Sequence, residues 1–362
     1  IKAVYIHIPF CEDICSYCDF CKFYYDESRA NMYLTGLEEE ISKRYQGESI
    51  ETIYIGGGTP SCLNLNQLKY LMQITDILNK EKLMEFTFEC NIENITEDKV
   101  KILKEYGVNR ISVGVQTFND KFLKFLNRHH TKNMVMEKIT MLKKYFDNIN
   151  IDLIYAIPGE TIEDLDNDLN LVISLGVNHV STYSLILEDH TILKNNQVEN
   201  IDDELDYNMY QYIRMKLTGL SQYEISNFGK LSKHNLTYWL NEEYYGFGLS
   251  ASGYIGNTRY TNTRNLNKYL KGEYVYTSEE LGINETIENE FILGLRLIQG
   301  VSIHKLQDKY HLDIKKVDFI NELIDNSKLE IVDDYLRIND NYLYVSNDIL
   351  INFIGVDYEQ YL

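Results

Sequence analysis

Residues 5–20 read Y-I-H-I-P-F-C-E-D-I-C-S-Y-C-D-F, an apolar run that meets a proline and opens into a cysteine-dense loop. Cys11, Cys15 and Cys18 stand at C-x3-C-x2-C spacing, Cys21 lies just beyond, and Cys62 and Cys90 complete the six cysteines. A chain with no visible export signal keeps its thiols reduced, so crowded cysteines point to metal before disulfides. Zinc sites pair two C-x2-C units, or one with two histidines, across a dozen or more residues, and no second pair follows here. Three thiolates on one loop suit a cubane [4Fe–4S] cluster that leaves one iron without a protein ligand. An iron left open in this way can coordinate a small molecule, as catalytic metals do.

Outward from the loop, strand and helix signals alternate. Val4–Ile8 reads as a strand, Met32–Arg44 as a helix, Thr52–Ile55 as a strand, Leu65–Leu78 as an amphipathic helix and Glu85–Cys90 as a strand. Thr96 is placed to cap a helix that carries Glu97 and Asp98 in its first turn and closes at Gly107. Arg110–Val115, Ile149–Ala156 and His179–Leu187 follow as strands, with helices at Asp120–Leu126 and Thr161–Leu175 between them. About six βα units predict a parallel sheet, and repeated units of this kind close into barrels whose sites lie at the carboxyl ends of the strands. The only three prolines, Pro9, Pro60 and Pro158, each end an apolar run, where a fixed φ is useful. Gly56-Gly57-Gly58-Thr59-Pro60 follows the second strand; glycines there admit close backbone approach to a ligand, and no dinucleotide fingerprint accompanies them.

The chain has 362 residues, with 35 basic against 55 acidic residues and a formal charge of −20. That balance argues against nucleic-acid binding, which needs a basic face. Apolar residues make up 44%, enough for a folded core, and no uncharged apolar run reaches the ~18 residues of a membrane span. The segment I-K-A-V-Y-I-H-I shows no basic leader followed by a long apolar stretch, so the expectation is a soluble cytoplasmic protein.

With these flanks, the cysteine loop resembles that of the radical S-adenosylmethionine superfamily, and specifically the group that holds oxygen-independent coproporphyrinogen III oxidase and a heme-chaperone branch. The resemblance implies a partial (β/α)6 barrel over residues 1–194, a linker and group-specific segment over 195–283, and a smaller winged-helix-like domain over 284–362. It implies cluster ligation by Cys11, Cys15 and Cys18. S-adenosylmethionine contacts would come from Tyr5, Tyr17, Gly57, Gly58, Thr59, Glu89, Gln116, Arg128 and Asp152, the arginine offering a guanidinium fork to the ligand carboxylate. His234, Asn235, Tyr238 and Trp239 spell H-N-L-T-Y-W, which resembles the heme-binding motif of the chaperone branch. Imidazole suits heme iron, although His, Tyr and Trp in an aromatic segment also simply pack.

Departures favour the chaperone branch. The oxidase carries a fourth cysteine where this chain has Phe20, and it has a longer segment before its cluster loop. Ser250-Ala251-Ser252-Gly253-Tyr254 lacks the histidine of the group's G-A-H-S-Y, and Cys90 and Ile92 replace a small residue and a proline. The expected function is therefore heme binding and delivery to an apo-hemoprotein, with a homodimer admitted. The competing expectation is oxidative decarboxylation of coproporphyrinogen III, and a radical enzyme acting on RNA is disfavoured by the charge.

Overall fold

A computed structural model describes residues 1–362. Its framework is one sheet whose six central strands are parallel: β1 (Ala3–Ile8), β2 (Thr52–Gly57), β3 (Glu85–Asn91), β4 (Arg110–Gln116), β5 (Ile149–Tyr155) and β6 (His179–Ser184). They pair in sequence order, with Ala3, Thr52 and Glu85 in register at the start and Ile8 opposite Gly57 at the end of the first pair. These strands are almost wholly buried, as parallel strands covered on both faces must be.

Helices α1 (Glu27–Arg44), α2 (Leu65–Ile74), α3 (Glu97–Glu105), α4 (Asp120–Phe125), α5 (Lys132–Leu142) and α6 (Ile162–Leu175) connect the strands. Their ends follow local chemistry. The Thr96 hydroxyl accepts from Lys99 N–H, and Thr161 forms a reciprocal capping box with Asp164. Gly176 ends α6 in the left-handed conformation at φ 58°.

The sheet stays open and grows at both edges. β7 (Asn227–Gly229) pairs antiparallel with β6; on the other side β8 (Tyr244–Phe247) lies parallel to β1, followed by β9 (Ser252–Ile255), β10 (Thr258–Asn262) and β11 (Val275–Glu280). Short α7 (Ile192–Asn195), α8 (Asp203–Lys216), α9 (Lys233–Trp239) and α10 (Leu266–Tyr269) lie between these strands. The carboxyl-terminal part holds α11 (Ile283–Gly294), α12 (Ile303–Tyr310), α13 (Asp318–Asp325) and α14 (Ser346–Leu350). With them goes a three-stranded sheet of β12 (Val301–Ser302), β13 (Leu329–Val332) and β14 (Tyr335–Ile338). No helix is long and apolar enough to cross a membrane.

Several elements differ from the sequence expectation. Asn195–Asp206, whose polar and acidic sequence predicts the linker at the start of the 195–283 segment, contains the end of α7 and the first turn of α8, which starts at Asp203 under an Asp202 cap and ends at Lys216. The helix over 65–78 stops at Ile74 and tightens into a 3₁₀ turn. The carboxyl-terminal hairpin, which the sequence places around Asn339-Asp340-Asn341, turns instead at Asp333-Asp334, where Asp333 takes φ 54°, and Asn339-Asp340-Asn341 forms the turn after it. Helix α5 had no sequence assignment, because its mixed Lys/Met pattern gives only a weak apolar face.

Candidate functional site

The carboxyl ends of the parallel strands surround a cavity of about 420 Å³. Its wall includes Cys11, Cys15, Tyr17, Cys18, Gly57, Gly58, Thr59, Glu89, Gln116, Arg128 and Asp152. The expected cluster and cofactor residues, Tyr5 excepted, thus share one wall although they come from segments spread over 142 positions of chain. Tyr5 is the exception. It lies off the cavity wall, with its hydroxyl 3.0 Å from His7 Nδ1 and its ring 6.1 Å from that of Tyr54.

The cysteine loop is clamped at both ends. Phe10–Cys11 pairs with Phe23–Tyr24, Tyr25 N–H donates to Cys11 O at 2.8 Å, and Phe23 N–H donates to Pro9 O at 2.7 Å. Its middle is tied to the turn after α4, where Asn127 Nδ2 donates to Ile14 O at 2.7 Å and Ser16 Oγ to Phe125 O at 2.8 Å. Cys11 is buried, while Cys15 and Cys18 are half-buried on the cavity side. Burial pushes the Cys11 thiol up to about 11 and raises that of Cys18. The thiols do not converge on a point suited to a single metal ion. A cubane cluster makes a different demand, one thiolate on each of three irons, so its ligands must flank a space. Cys21 sits apart in the apolar core, its carbonyl accepting from His7 Nε2 at 2.9 Å.

The glycine loop is a cradle shaped by what a side chain would strike. A Cβ on Gly56 would lie 2.8 Å from the Glu89 carboxylate, one on Gly57 2.8 Å from the His7 ring, and one on Gly58 2.9 Å from Cys11 Sγ. Gly57 also takes φ 121°, open only to glycine. Thr59 Oγ1 donates to Cys11 Sγ at 3.4 Å and accepts from Asn91 Nδ2 at 3.1 Å. The three free thiols and the room left at Gly58 beside Cys11 fit a thiolate-held cluster.

The carboxylates and Arg128 complete the wall. Arg128 Nη2 donates to Gly114 O at 2.8 Å, and its Nη1 donates to Asn91 Oδ1 at 3.1 Å and to Cys15 Sγ at 3.5 Å. Glu89 accepts from Tyr54 Oη at 2.6 Å and Gly57 N–H at 3.2 Å, and burial pushes its carboxyl up to about 7. Asp152 accepts from Asn150 Nδ2 at 2.7 Å and Ser112 Oγ at 3.1 Å, and burial raises its carboxyl too. Gln116 stands at an irregularity between β4 and β5 with φ 69°, strain of the kind found where a side chain is aimed at a ligand. Such a wall offers a cation partner, hydroxyl acceptors and a fixed guanidinium, the set that an amino acid joined to a nucleoside requires. Sequence reading missed Asn91 and Tyr54. Asn91 had a weak signal as a polar residue at the end of β3; Tyr54 had none.

The H-N-L-T-Y-W residues lie at the opposite, amino-terminal end of the strands. Glu85 accepts from Ser232 Oγ at 3.3 Å and from the N–H groups of Lys233 and His234 at 3.0 Å, so a carboxylate docks the start of α9. His234 is fully buried; its Nδ1 lies 2.9 Å from Thr52 Oγ1 and its Nε2 2.7 Å from Tyr238 Oη. Burial lowers its pKa to about 3. Trp239 points elsewhere, under the Arg296 guanidinium and along a groove of about 1000 Å³ against the carboxyl-terminal part. Asn235 is half-buried. His234, Asn235 and Tyr238 do not line that groove, and in this conformation both imidazole nitrogens of His234 are engaged.

The radical SAM superfamily model matches residues 5–172. The heme chaperone HemW of Lactococcus lactis subsp. lactis (strain IL1403) is 40% identical, covering 98% of this chain and 97% of its own. The heme chaperone HemW of Bacillus subtilis (strain 168) is 42% identical over 86% of this chain and 87% of its own. Among solved structures, coproporphyrinogen III oxidase (HemN) from Escherichia coli superposes with a TM-score of 0.85 at 21% identity, over 98% of this chain and 90% of that one. At that identity the oxidase shares the fold.

Proposed function

The chain belongs to the radical SAM superfamily and, within it, to the HemW-like family, and on that premise we propose that it is a heme chaperone. Membership of the superfamily implies a [4Fe–4S] cluster and S-adenosylmethionine. The residues proposed to hold the cluster are Cys11, Cys15 and Cys18. Those proposed for S-adenosylmethionine are Tyr17, Gly57, Gly58, Thr59, Glu89, Gln116, Arg128 and Asp152, with Tyr5 acting from behind the wall. When bound together, a reduced cluster and S-adenosylmethionine supply one-electron chemistry at the sulfonium. The chain's own part is positional. Arg128 pairs with a carboxylate, Glu89 and Asp152 accept from hydroxyl or ammonium donors, and the glycine loop brings backbone groups to contact distance.

The observation that carries the chaperone reading is the end-to-end likeness, at 40% identity, to a relative so named. The oxidase reading is not favoured, since the oxidase is only 21% identical. Phe20 also stands, 63% exposed, on the wall of the cavity where the oxidase has its fourth cysteine. Under this proposal heme is cargo and an apo-hemoprotein the acceptor.

The heme contacts proposed for His234, Asn235, Tyr238 and Trp239 belong to an opened form, because the Tyr238 hydroxyl must leave His234 Nε2 before iron can take it. Two variants test this by hemin titration. Tyr238→Phe frees Nε2 and should tighten heme binding severalfold, by removing a buried hydrogen bond worth about 1 kcal/mol; His234→Ala should weaken it and move the Soret band. Unchanged affinity and spectrum in both, with folding intact, would remove the motif from the heme site.

A further inference from the structure

Between the two ends of the barrel runs a short file of touching side chains. At the top, Glu89 faces the cavity and accepts a 2.6 Å hydrogen bond from Tyr54 Oη. In the middle, the Tyr54 ring packs on the His234 ring at 5.2 Å with the planes inclined by 33°. Below, Thr52 lies two residues before Tyr54 on the same strand and holds His234 Nδ1 at 2.9 Å. His234 is itself fastened by Glu85 at the start of α9. A residue at each level is therefore in contact with the next, from the helix of the H-N-L-T-Y-W motif to the cofactor cavity.

Glu89 has few other anchors. Its remaining hydrogen bond is the longer one from Gly57 N–H, 3.2 Å, and its carboxylate lies against the bare α-carbon of Gly56, which offers it no polar partner. The titratable and charged groups facing it are Tyr5, Tyr54, Cys90, Arg110, Asp152 and Tyr238, and of these only Tyr54 hydrogen-bonds to it.

We propose that Tyr54 is the positioning residue for Glu89 and is itself held by His234, so that the motif helix acts on S-adenosylmethionine binding through the barrel interior. The inference rests on the reading of Glu89 as an S-adenosylmethionine contact. It gives His234 a task in the cofactor site that does not depend on iron ligation. The phenol does two things for Glu89: it fixes one carboxylate oxygen, leaving the other lone pairs for the ligand, and it stabilises the ionised form by donating to it. Burial and Asp152 push the carboxyl up, and the Tyr54 hydrogen bond pulls it back toward about 7.

The test is calorimetric titration of S-adenosylmethionine into the cluster-reconstituted, heme-free protein at several pH values. Binding through an ionised Glu89 should strengthen as pH rises through about 7. Tyr54→Phe keeps the ring and loses only the donor, so the midpoint should move up by about one unit and affinity at pH 7 fall about fivefold. Thr52→Val, which unfastens His234, should move the midpoint the same way by less. Glu89→Gln should abolish the pH dependence and weaken binding more than either. If Glu89→Gln changes neither affinity nor profile, the placement of the cofactor at Glu89 fails. If Glu89→Gln behaves as expected while Tyr54→Phe and Thr52→Val keep the native midpoint, that placement stands and the positioning role is overturned.

Discussion

Cys11 and Cys21 are both buried thiols near one loop, yet their surroundings differ. Cys11 borders the cavity beneath Gly58 and Thr59, whereas Cys21 is packed into the core. Replacing any of Cys11, Cys15 or Cys18 by serine should abolish the broad visible absorption of thiolate-bound iron after reconstitution, and Cys21→Ser should leave it. Loss of the band in Cys21→Ser together with its survival in Cys18→Ser would contradict the assignment. At this scale much of the site was legible in the sequence. A C-x3-C-x2-C loop and a glycine run act through neighbours a few positions away, so their spacing is itself the signal. Tyr54 and Asn91 were not legible in that way. Their partners, Glu89 and His234 for the one, Thr59 and Arg128 for the other, meet them only through strand register and helix docking. His234 was legible as a residue of note but not in its placement, which depends on Thr52, 182 positions away in the chain.

Among the elements, α9 depends on a strand far from it in sequence. Ser232 caps it locally, but Glu85 at the start of β3 takes two of its first N–H groups and the Ser232 hydroxyl. Glu85 is almost fully buried, so Glu85→Ala leaves those donors unpaired and should destabilise the protein by about 2 kcal/mol, read as a lower denaturant midpoint with unchanged slope. A loss below about 0.5 kcal/mol would mean that water replaces the carboxylate at the helix start. The alternation of strands and helices in the first half was readable because each connecting helix carries its own side-chain cap, as at Thr96 and Thr161, and two of them close on a glycine, Gly107 and Gly176. The edge strands β8 to β11 were hidden in an aromatic, glycine-rich stretch. Their place beside β1 comes from a long-range parallel pairing, Ala3 with Tyr244, and from Gly246 and Gly253, where a Cβ would strike Ser252 O and the Tyr260 ring.

Across the whole molecule, buried ionisable groups set opposing slopes of stability with pH. Burial pushes the carboxyls of Asp168, Glu89 and Glu160 up to about 6, 7 and 8. Raised acids favour the folded state below their ordinary values, and that contribution is lost as pH rises through 6 to 8. Burial lowers His7 to about 4 and His234 to about 3, so below their ordinary value near 6.5 the unfolded chain takes up protons the folded one refuses. The cofactor-free protein should therefore lose melting temperature steadily from pH 6 to pH 8, as the contribution of these carboxyls disappears. Glu160→Gln should flatten the alkaline limb by on the order of 1 kcal/mol per pH unit between 5 and 8. A melting temperature that climbs steadily from pH 6 to pH 8 would contradict this placement of the carboxyls. The central claim is that one chain holds a radical SAM site and carries heme for another protein. Its most direct test is to load the cluster-reconstituted protein with hemin, mix it with an apo-hemoprotein, and follow both Soret spectra while assaying coproporphyrinogen III decarboxylation in parallel. The account predicts bound heme that passes to the acceptor and no decarboxylation; absence of heme binding, or decarboxylation without transfer, would contradict it.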